Sequence, residues 1–203
     1  MEGVESRMMA VPGRTVIGFC GSAGAGKDEA AAALTAQGFV KRSFAEALRG
    51  EIRRVMTDAE YCDRVWHEMP EVCRRALLDC RVTGDLDPWR KPTSTEMRRL
   101  LQVWGTEFRR AQDPEYWIKA ESLSLPDTGC FVYTDVRFPN EAAMISNLGG
   151  CLYRVERDGV TGNGHISELH WPHFKHDGII SNNGTVEELH AKVIQTVSIY
   201  DTP

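Results

Sequence analysis

The sequence lacks several patterns that would assign it to particular classes of protein. Its six cysteines include no C-x-x-C pair, and residues 1–13 lack the apolar run of a secretory signal. We therefore expect reduced thiols in a cytosol. No apolar stretch approaches the roughly 20 residues that span a bilayer. These absences predict a soluble, cytoplasmic protein.

A basic surplus is also missing. The 203 residues carry a net charge of −5, and 42% hydrophobic with 26% charged residues is typical of a globular protein. This balance disfavours a nucleic-acid polymer as the main partner. No N-K-x-D signature is present, which lowers the case for a GTPase. Neither an internal repeat nor a low-complexity linker is found, so we expect a single domain, 1–203.

What the sequence does contain is a glycine loop between a predicted strand, residues 15–20, and a predicted helix, residues 28–37. The loop fills the pattern G-x-x-x-x-G-K. In such loops the backbone N–H groups and the positive end of the helix bind phosphate, and the lysine reaches the β and γ phosphates. The residues that we predict to bind phosphate are Gly21, Ser22, Ala23, Gly24, Ala25, Gly26 and Lys27.

Two acidic residues point to a metal ion near this loop. Asp28 stands where the pattern usually has a Ser or Thr that binds Mg²⁺. A carboxylate beside a triphosphate is repelled unless a divalent cation lies between them, so we interpret Asp28 as metal-associated, directly or through water. The alternative is an acid that favours the helix dipole. Asp135 follows an apolar strand, where a turn acid is common, but the glycine loop favours a role near Mg²⁺ or the acceptor.

Arginines are numerous enough to serve a second anion site. Arg137 lies two residues after Asp135 and projects to the same side if the backbone stays extended. A strand delivers Arg157 into a glycine-containing loop that suits a lid. In-line phosphoryl transfer needs such groups to neutralise the transferring phosphate. We therefore predict catalytic roles for Lys27, Asp135, Arg137 and Arg157.

Short apolar segments alternate with helix-forming segments along the chain, which predicts an α/β fold with a parallel sheet covered on both faces. Further strands are expected at residues 39–44, 130–138, 151–157 and 177–183. Residues 57–93 are interpreted as an inserted helical segment with a loop. A capping box at Thr93 and Glu96 predicts the start of the next helix. Four histidines, His165, His170, His173 and His176, leave zinc open as a minor alternative, although their spacing matches no recognised site.

Several blocks of this sequence together resemble the bacteriophage deoxynucleoside monophosphate kinases. They are GSAGAGKDEAA, SFAEALR, RRLLQVWGTEFRR with DPEYW, DVRFPNEA, CLYRVER, HISE and GIISNNGTVEEL. The resemblance runs over nearly the whole chain, except residues 1–14 and about 57–92. An Asp after the loop lysine is common in that family and in the similar phosphomevalonate kinases.

The resemblance implies a three-layer P-loop kinase with about five parallel strands, an N-terminal tail at 1–14, a helical acceptor-binding region at about 45–125 and a lid at about 157–177. It implies ATP with Mg²⁺ as donor, a deoxynucleoside 5′-monophosphate as acceptor and, if a phage encodes the chain, the host cytoplasm as its location. The metal-side residues are then Asp28 and Asp135. The implied acceptor-binding residues are Arg49, Gln102, Thr106, Glu107, Arg109, Trp117, Arg137 and Glu168, with Ser167 beside the last.

Three other functions stay open at this point. One is a kinase of another phosphorylated small molecule, as in the phosphomevalonate kinases. Another is a kinase of hydroxymethylated bases within DNA, which the acidic composition disfavours. The third is a non-catalytic ATP-binding regulator, which the supply of arginines disfavours. The accepted base and the oligomeric state, including a homodimer, are also left open.

Overall fold

The computed structural model describes residues 13–160 and 171–198. The strands are β1 Arg14–Cys20, β2 Val40–Arg42, β3 Gly129–Tyr133, β4 Cys151–Glu156 and β5 Gly178–Ser181. The α-helices are α1 Lys27–Thr35, α2 Ala45–Thr57, α3 Ala59–Trp66, α4 Glu71–Thr83, α5 Thr95–Val103, α6 Tyr116–Ser124, α7 Pro139–Asn147 and α8 Val186–Ser198. A π-helical segment, Trp104–Arg110, and a short 3₁₀ helix, Trp171–His173, complete the described elements.

The five strands form one parallel sheet in the order β2-β3-β1-β4-β5. Ile17 and Phe19 of β1 pack on the face that carries α1 and α8. The intervening Gly18 faces Ile145 of α7 and has no side chain, so this helix packs closely against the sheet. The predicted α/β fold, with about five parallel strands in a three-layer arrangement, is confirmed.

The described chain divides into two compact units. The first contains the sheet and comprises the described residues up to Ser43 and from Leu125 onward, and the second is Phe44–Ser124. The regular elements of the second unit are all helices, and the acceptor-binding role expected for residues about 45–125 stays a prediction. Its core contains the cysteines Cys62, Cys73 and Cys80, which are all free thiols.

Several predicted boundaries are wrong. The strand expected at 130–138 ends at Tyr133, because the chain leaves the ladder before Asp135 and turns into α7. The helix expected to start with Thr93 is capped by Ser94 instead, whose Oγ accepts a hydrogen bond from the Met97 N–H at 3.0 Å. At the start of α8, Thr185 and Glu188 exchange hydrogen bonds as a capping box.

The π-helical segment continues directly from α5. Its i→i+5 bonding widens one turn, and such segments often occur at functional sites. Here the Gly105 carbonyl accepts a hydrogen bond from Trp117 Nε1 of α6 at 3.0 Å.

None of the helices in the described part of the chain combines the length and the hydropathy of a membrane span.

Candidate functional site

The glycine loop joins the carboxyl end of β1 to the start of α1. Gly21 and Gly26 have φ angles of +133° and +99°, in the region that favours glycine. A Cβ at Gly21 would collide with the Val155 carbonyl oxygen, and one at Gly26 would collide with the side-chain amide of Asn182. Neither position has room for a side chain, so the conformation of the loop requires glycine at both.

Lys27 is the first residue of α1 and is only 9% exposed. Its ammonium donates hydrogen bonds to the carbonyl oxygens of Gly21 and Ser22, both at 2.7 Å. A buried cation is thus held by the loop at the positive end of a helix. Both features favour an anion at this position.

Cys20 immediately precedes the loop and is fully buried. Burial raises the pKa of its thiol to about 11, although the charges of Arg154 and Lys27 act in the opposite direction. The thiol is therefore protonated near neutral pH. A nucleophilic role for Cys20 is not favoured, because the thiolate is the reactive form of cysteine.

Asp28 is 77% exposed at its side chain and forms an ion pair with Lys41 of β2, with a distance of 2.5 Å from Lys41 Nζ to Asp28 Oδ1. The acid that replaces the usual hydroxyl residue is thus bound to a lysine from the neighbouring strand in this structure. A direct contact of Asp28 with a metal ion would have to share the carboxylate with that lysine.

Asp135 lies two residues beyond β3, beside the start of the glycine loop. The next residue, Val136, donates its backbone N–H to the carbonyl oxygen of Phe19 in β1 at 3.3 Å. Asp135 Oδ2 accepts a hydrogen bond from Ser43 Oγ at 2.7 Å, and both residues are half-buried. A carboxylate and a hydroxyl therefore meet at the carboxyl edge of the sheet.

Arg137 is carried by the short connection from β3 to α7. The buried carboxylate of Glu141 accepts hydrogen bonds from the backbone N–H of Arg137 at 2.7 Å and from that of Phe138 at 2.9 Å. Glu141 lies in the first turn of α7 and is 3% exposed. It fixes the backbone that presents Arg137, which itself is half-buried.

Arg157 follows β4 and is exposed. The next residue, Asp158, donates its backbone N–H to Asn183 Oδ1 at 2.8 Å, which joins this turn to the segment after β5. The carboxyl edge of the sheet therefore carries, from β2 to β4, Ser43, Asp135, the glycine loop and Arg157. This is the edge at which ligands bind in open α/β sheets.

The expected lid lies only partly within the described residues. Glu168 and Ser167, together with His165 and His170, lie outside them. His173 is in the 3₁₀ helix, and His176 Nδ1 lies 3.0 Å from the carbonyl oxygen of Phe174. Across residues 13–160 and 171–198, no group of three or more His, Cys, Asp or Glu side chains is arranged to hold a metal ion. The zinc alternative gains no support from the described part of the chain.

In the second unit, Arg109 is buried in an ion pair with Glu51 of α2, and their side chains are 8% and 9% exposed. Arg109 Nε donates to Glu51 Oε1 at 2.7 Å, and Tyr61 donates its hydroxyl to the same oxygen at 2.9 Å. Burial alone would lower the pKa of Arg109, but the hydrogen bond and charge of Glu51 outweigh this and raise it. Burial and the same carboxylate raise the pKa of Tyr61 to about 12. The guanidinium of Arg109 is therefore neutralised inside the unit.

Arg49 is half-buried, and its guanidinium donates a hydrogen bond to the carbonyl oxygen of Pro88, in the connection between α4 and α5. The next residue, Trp89, donates Nε1 to Glu46 Oε1 at 3.0 Å. Two successive residues of this connection, Pro88 and Trp89, are therefore hydrogen-bonded to side chains of α2. These contacts hold the arginine at a defined position.

The other expected acceptor-binding residues of this unit differ in exposure. Gln102 and Thr106 are half-buried, and Glu107 is exposed. Trp117 is 3% exposed and packs edge-on against Tyr116, with ring centroids 4.7 Å apart. Trp117 therefore belongs to the core of the unit in this structure, and its expected contact with a base stays a prediction.

Sequence reasoning missed four residues that organise the site. Ser43 contacts Asp135, Lys41 contacts Asp28, and Glu141 holds the backbone of Arg137. Asn182, after β5, donates its side-chain amide to the carbonyl oxygen of Ala25 in the loop at 2.8 Å. Two of the four, Ser43 and Asn182, directly follow a strand at the carboxyl edge of the sheet, and that position is a signal that could have marked them.

A glycine loop that ends in a buried lysine, between the first strand and first helix of a parallel sheet, defines the P-loop nucleotide-binding proteins. Within this class the family can be stated. The sequence profile of the deoxynucleotide monophosphate kinase family matches residues 89–193, slightly more than half of the chain. The chain belongs to the deoxynucleotide monophosphate kinase family.

Individual relatives agree with this assignment. The chain is 29% identical over 203 residues to a putative deoxynucleotide monophosphate kinase of Acanthamoeba polyphaga mimivirus, with 90% of this chain and 95% of the relative covered. It is 32% identical over 104 residues to the deoxynucleotide monophosphate kinase of Escherichia phage RB69, and 30% identical over 110 residues to that of Enterobacteria phage T4. These two matches cover 48% and 51% of this chain, and 43% and 46% of the phage proteins.

Solved structures with a similar backbone include TT1252 from Thermus thermophilus. The superposition has a TM-score of 0.48 at 18% sequence identity and covers 94% of this chain and 99% of that one. Dephospho-CoA kinase from Campylobacter jejuni gives a TM-score of 0.46 at 13% identity, with coverage of 92% and 97%.

Proposed function

We propose that this protein transfers the γ-phosphate of ATP to a deoxynucleoside 5′-monophosphate, giving ADP and the deoxynucleoside diphosphate. The observation that carries the proposal is the buried Lys27 inside a glycine loop at the carboxyl edge of a parallel sheet. Membership of the deoxynucleotide monophosphate kinase family supports the choice of acceptor.

ATP fits the loop for a structural reason. The two carbonyl oxygens that hold the Lys27 ammonium, Gly21 and Ser22, are neutral and belong to the loop itself. Phosphate oxygens are charged acceptors, and charge-assisted hydrogen bonds are about twice as strong as neutral ones. Lys27 is therefore proposed to contact the phosphates, with backbone N–H groups of residues 21–27 around them.

Mg²⁺ also fits the residues at this edge. It prefers oxygen ligands and is usually bound by one or two carboxylates together with substrate phosphates and water. We propose Asp135 as the carboxylate that binds the metal directly. Because Asp28 is paired with Lys41, we propose that its contact to the metal runs through water. When bound, the ion would supply positive charge that offsets the charge of the phosphates.

The remaining charge would be neutralised by arginines. Arg137 and Arg157 are proposed to contact the transferring phosphoryl group, since both follow strands at the edge that carries the loop. Arg49, held by the Pro88 carbonyl, is proposed to bind the acceptor phosphate, with Gln102, Thr106 and Glu107 as further acceptor contacts. The acceptor roles expected for Arg109, Trp117 and Glu168 stay predictions, and the burial of the first two supports a structural role instead.

A substrate panel tests the proposal. Purified protein is incubated with ATP, Mg²⁺ and either dTMP, dGMP, dCMP, dAMP or a base-modified deoxynucleoside monophosphate, and ADP release is followed by a coupled assay. We expect ADP release that depends on at least one of these acceptors. Activity with none of them, but with another phosphorylated small molecule or with DNA, would overturn the proposed acceptor. Nucleotide binding without any acceptor-dependent turnover would overturn the proposed catalysis.

A further inference from the structure

The glycine loop departs from the usual pattern at the position that normally binds the metal ion. The residue after the lysine supplies a Ser or Thr hydroxyl to Mg²⁺ in the common form of this loop. Here it is Asp28, whose carboxylate is 77% exposed and bound to Lys41. The metal site at this edge therefore lacks its customary hydroxyl, although the carboxylate of Asp135 is present.

A hydroxyl group is nevertheless present at the same edge. Ser43 comes directly after β2, and its Oγ donates a 2.7 Å hydrogen bond to Asp135 Oδ2. The ladder between β2 and β3 ends at the pair Arg42–Tyr133. Ser43 and Asp135 lie one and two residues beyond that pair, so the parallel register brings them together.

This hydroxyl–carboxylate pair lies next to the phosphate loop. The sheet order puts β3 between β2 and β1, and Tyr133 pairs with Gly18 of β1. Beyond this pair, Val136 donates its backbone N–H to the carbonyl of Phe19, which lies two residues before Gly21. The contact between the two chain segments therefore extends almost to the glycine loop. Both members of the pair are half-buried, which limits competition from bulk water.

We propose that Ser43 supplies the hydroxyl ligand of the magnesium site, in place of the residue that follows the loop lysine, with Asp135 as its carboxylate partner. The proposal rests on the proposed ATP-dependent function. The Ser43 hydroxyl keeps its proton and donates it in the hydrogen bond to Asp135 Oδ2, while a lone pair of the same oxygen binds the metal ion. The hydrogen bond to a carboxylate raises the electron density on Oγ, as partners of metal ligands generally do.

Metal affinity tests this assignment without relying on turnover. The protein is saturated with a non-hydrolysable ATP analogue, and Mn²⁺ binding is measured by the loss of the free-ion signal in electron paramagnetic resonance. We expect Ser43→Ala to weaken Mn²⁺ binding by about 10-fold, whereas Ser43→Thr keeps an affinity close to that of the wild type. Ser124→Ala is the matched control, because its hydroxyl donates to the backbone carbonyl of Glu121 in the second unit and follows no strand of the sheet.

A metal-preference measurement separates a ligand from a residue that merely orients Asp135. Sulfur ligands favour softer ions. If Ser43 contacts the metal, Ser43→Cys raises the affinity for Cd²⁺ relative to Mn²⁺ above the wild-type ratio. A residue that acts only through Asp135 leaves this ratio unchanged, and that result would overturn the proposal.

The affinity for the ATP analogue in EDTA distinguishes a failure of the Ser43 assignment from a failure of the proposed function. We expect the Ser43 variants to bind the metal-free analogue as the wild type does. Normal analogue binding with unchanged Mn²⁺ affinity in Ser43→Ala overturns the role of Ser43 and leaves the proposed function intact. Wild-type protein that binds no analogue overturns the proposed function, and the assignment of Ser43 with it.

Discussion

The two units of the chain use their charged residues in opposite ways. In the sheet-containing unit, Lys27 donates to the backbone carbonyls of the glycine loop, and Asp135 accepts from the Ser43 hydroxyl at the carboxyl edge of the sheet. In the helical unit, Arg109 and Glu51 neutralise each other in the core. The first two charges lie at the edge where ligands bind in open α/β sheets, whereas the buried ion pair satisfies its own attraction inside the core.

This contrast separates residues that the sequence presents as equivalent. Arg109 and Arg137 both belong to blocks that resemble the kinase family, and both are arginines beside aromatic residues. Arg137 is presented by a connection at the carboxyl edge of the sheet. Arg109 is surrounded by Glu51, Tyr61 and the rings of Phe108 and Tyr116. Membership of a block therefore identifies a family but does not decide whether a residue serves the ligand or the core.

The largest effect is expected from removing the charge of the loop lysine. Lys27→Ala should reduce the rate of ADP formation by about 10³-fold, since preorganised charge on the transferring phosphoryl group is lost. The melting temperature of the variant is measured alongside, so that a loss of activity through unfolding can be recognised. Lys192→Ala is the control, as its ammonium also bonds to a backbone carbonyl, that of Ser181, but is exposed. Full activity of Lys27→Ala would contradict the proposed function.

The second expected effect is on stability and tests whether Glu51 and Arg109 neutralise each other in the helical unit. Glu51→Gln leaves the guanidinium of Arg109 buried without its counter-charge, and the free energy of unfolding should fall by about 3 kcal/mol. Glu68→Gln is the matched control, because Glu68 lies 4.0 Å from the same arginine but is 57% exposed. Exposed pairs contribute about 0–1 kcal/mol. Urea unfolding of both variants measures the difference, and equal losses would show that Arg109 is not neutralised by Glu51.

A smaller difference is expected between two glycines, one in each unit. Gly21→Ala places a methyl group against the Val155 carbonyl at a positive φ and should cost about 2 kcal/mol of unfolding free energy. Gly50→Ala lies in α2 with no atom near the added methyl and no positive φ, so it should stabilise by about 0.5–1 kcal/mol. Thermal unfolding distinguishes the two signs. A neutral Gly21→Ala would contradict the described shape of the loop.

Local patterns were sufficient to predict much of the fold. The glycine loop, the alternation of strands and helices and the helical nature of residues 57–93 each depend on neighbours along the chain. The early end of β3 could not be predicted, because residues 135–138, DVRF, alternate polar and apolar side chains as a half-buried strand does. The π-helical segment was missed as well, since the apolar spacing of residues 97–108 also fits a regular α-helix.

The contacts that complete the candidate site depend on strand order, which the sequence does not state. Ser43 and Asp135 are 92 residues apart along the chain. Asn182 contacts Ala25 across 157 residues. A polar residue after a strand is common, so only the register of the sheet identifies which of them meet.

The bracing of the glycine loop has a consequence for how a ligand meets it. Asn182 bonds to the Ala25 carbonyl and is itself held through its backbone N–H by the Glu156 carbonyl at 2.7 Å, while Val155 closes the other side of Gly21. The chain entropy of the loop is therefore lost during folding. A polyanion that arrives meets a rigid receptor and does not have to order it, so more of the contact energy is retained as affinity.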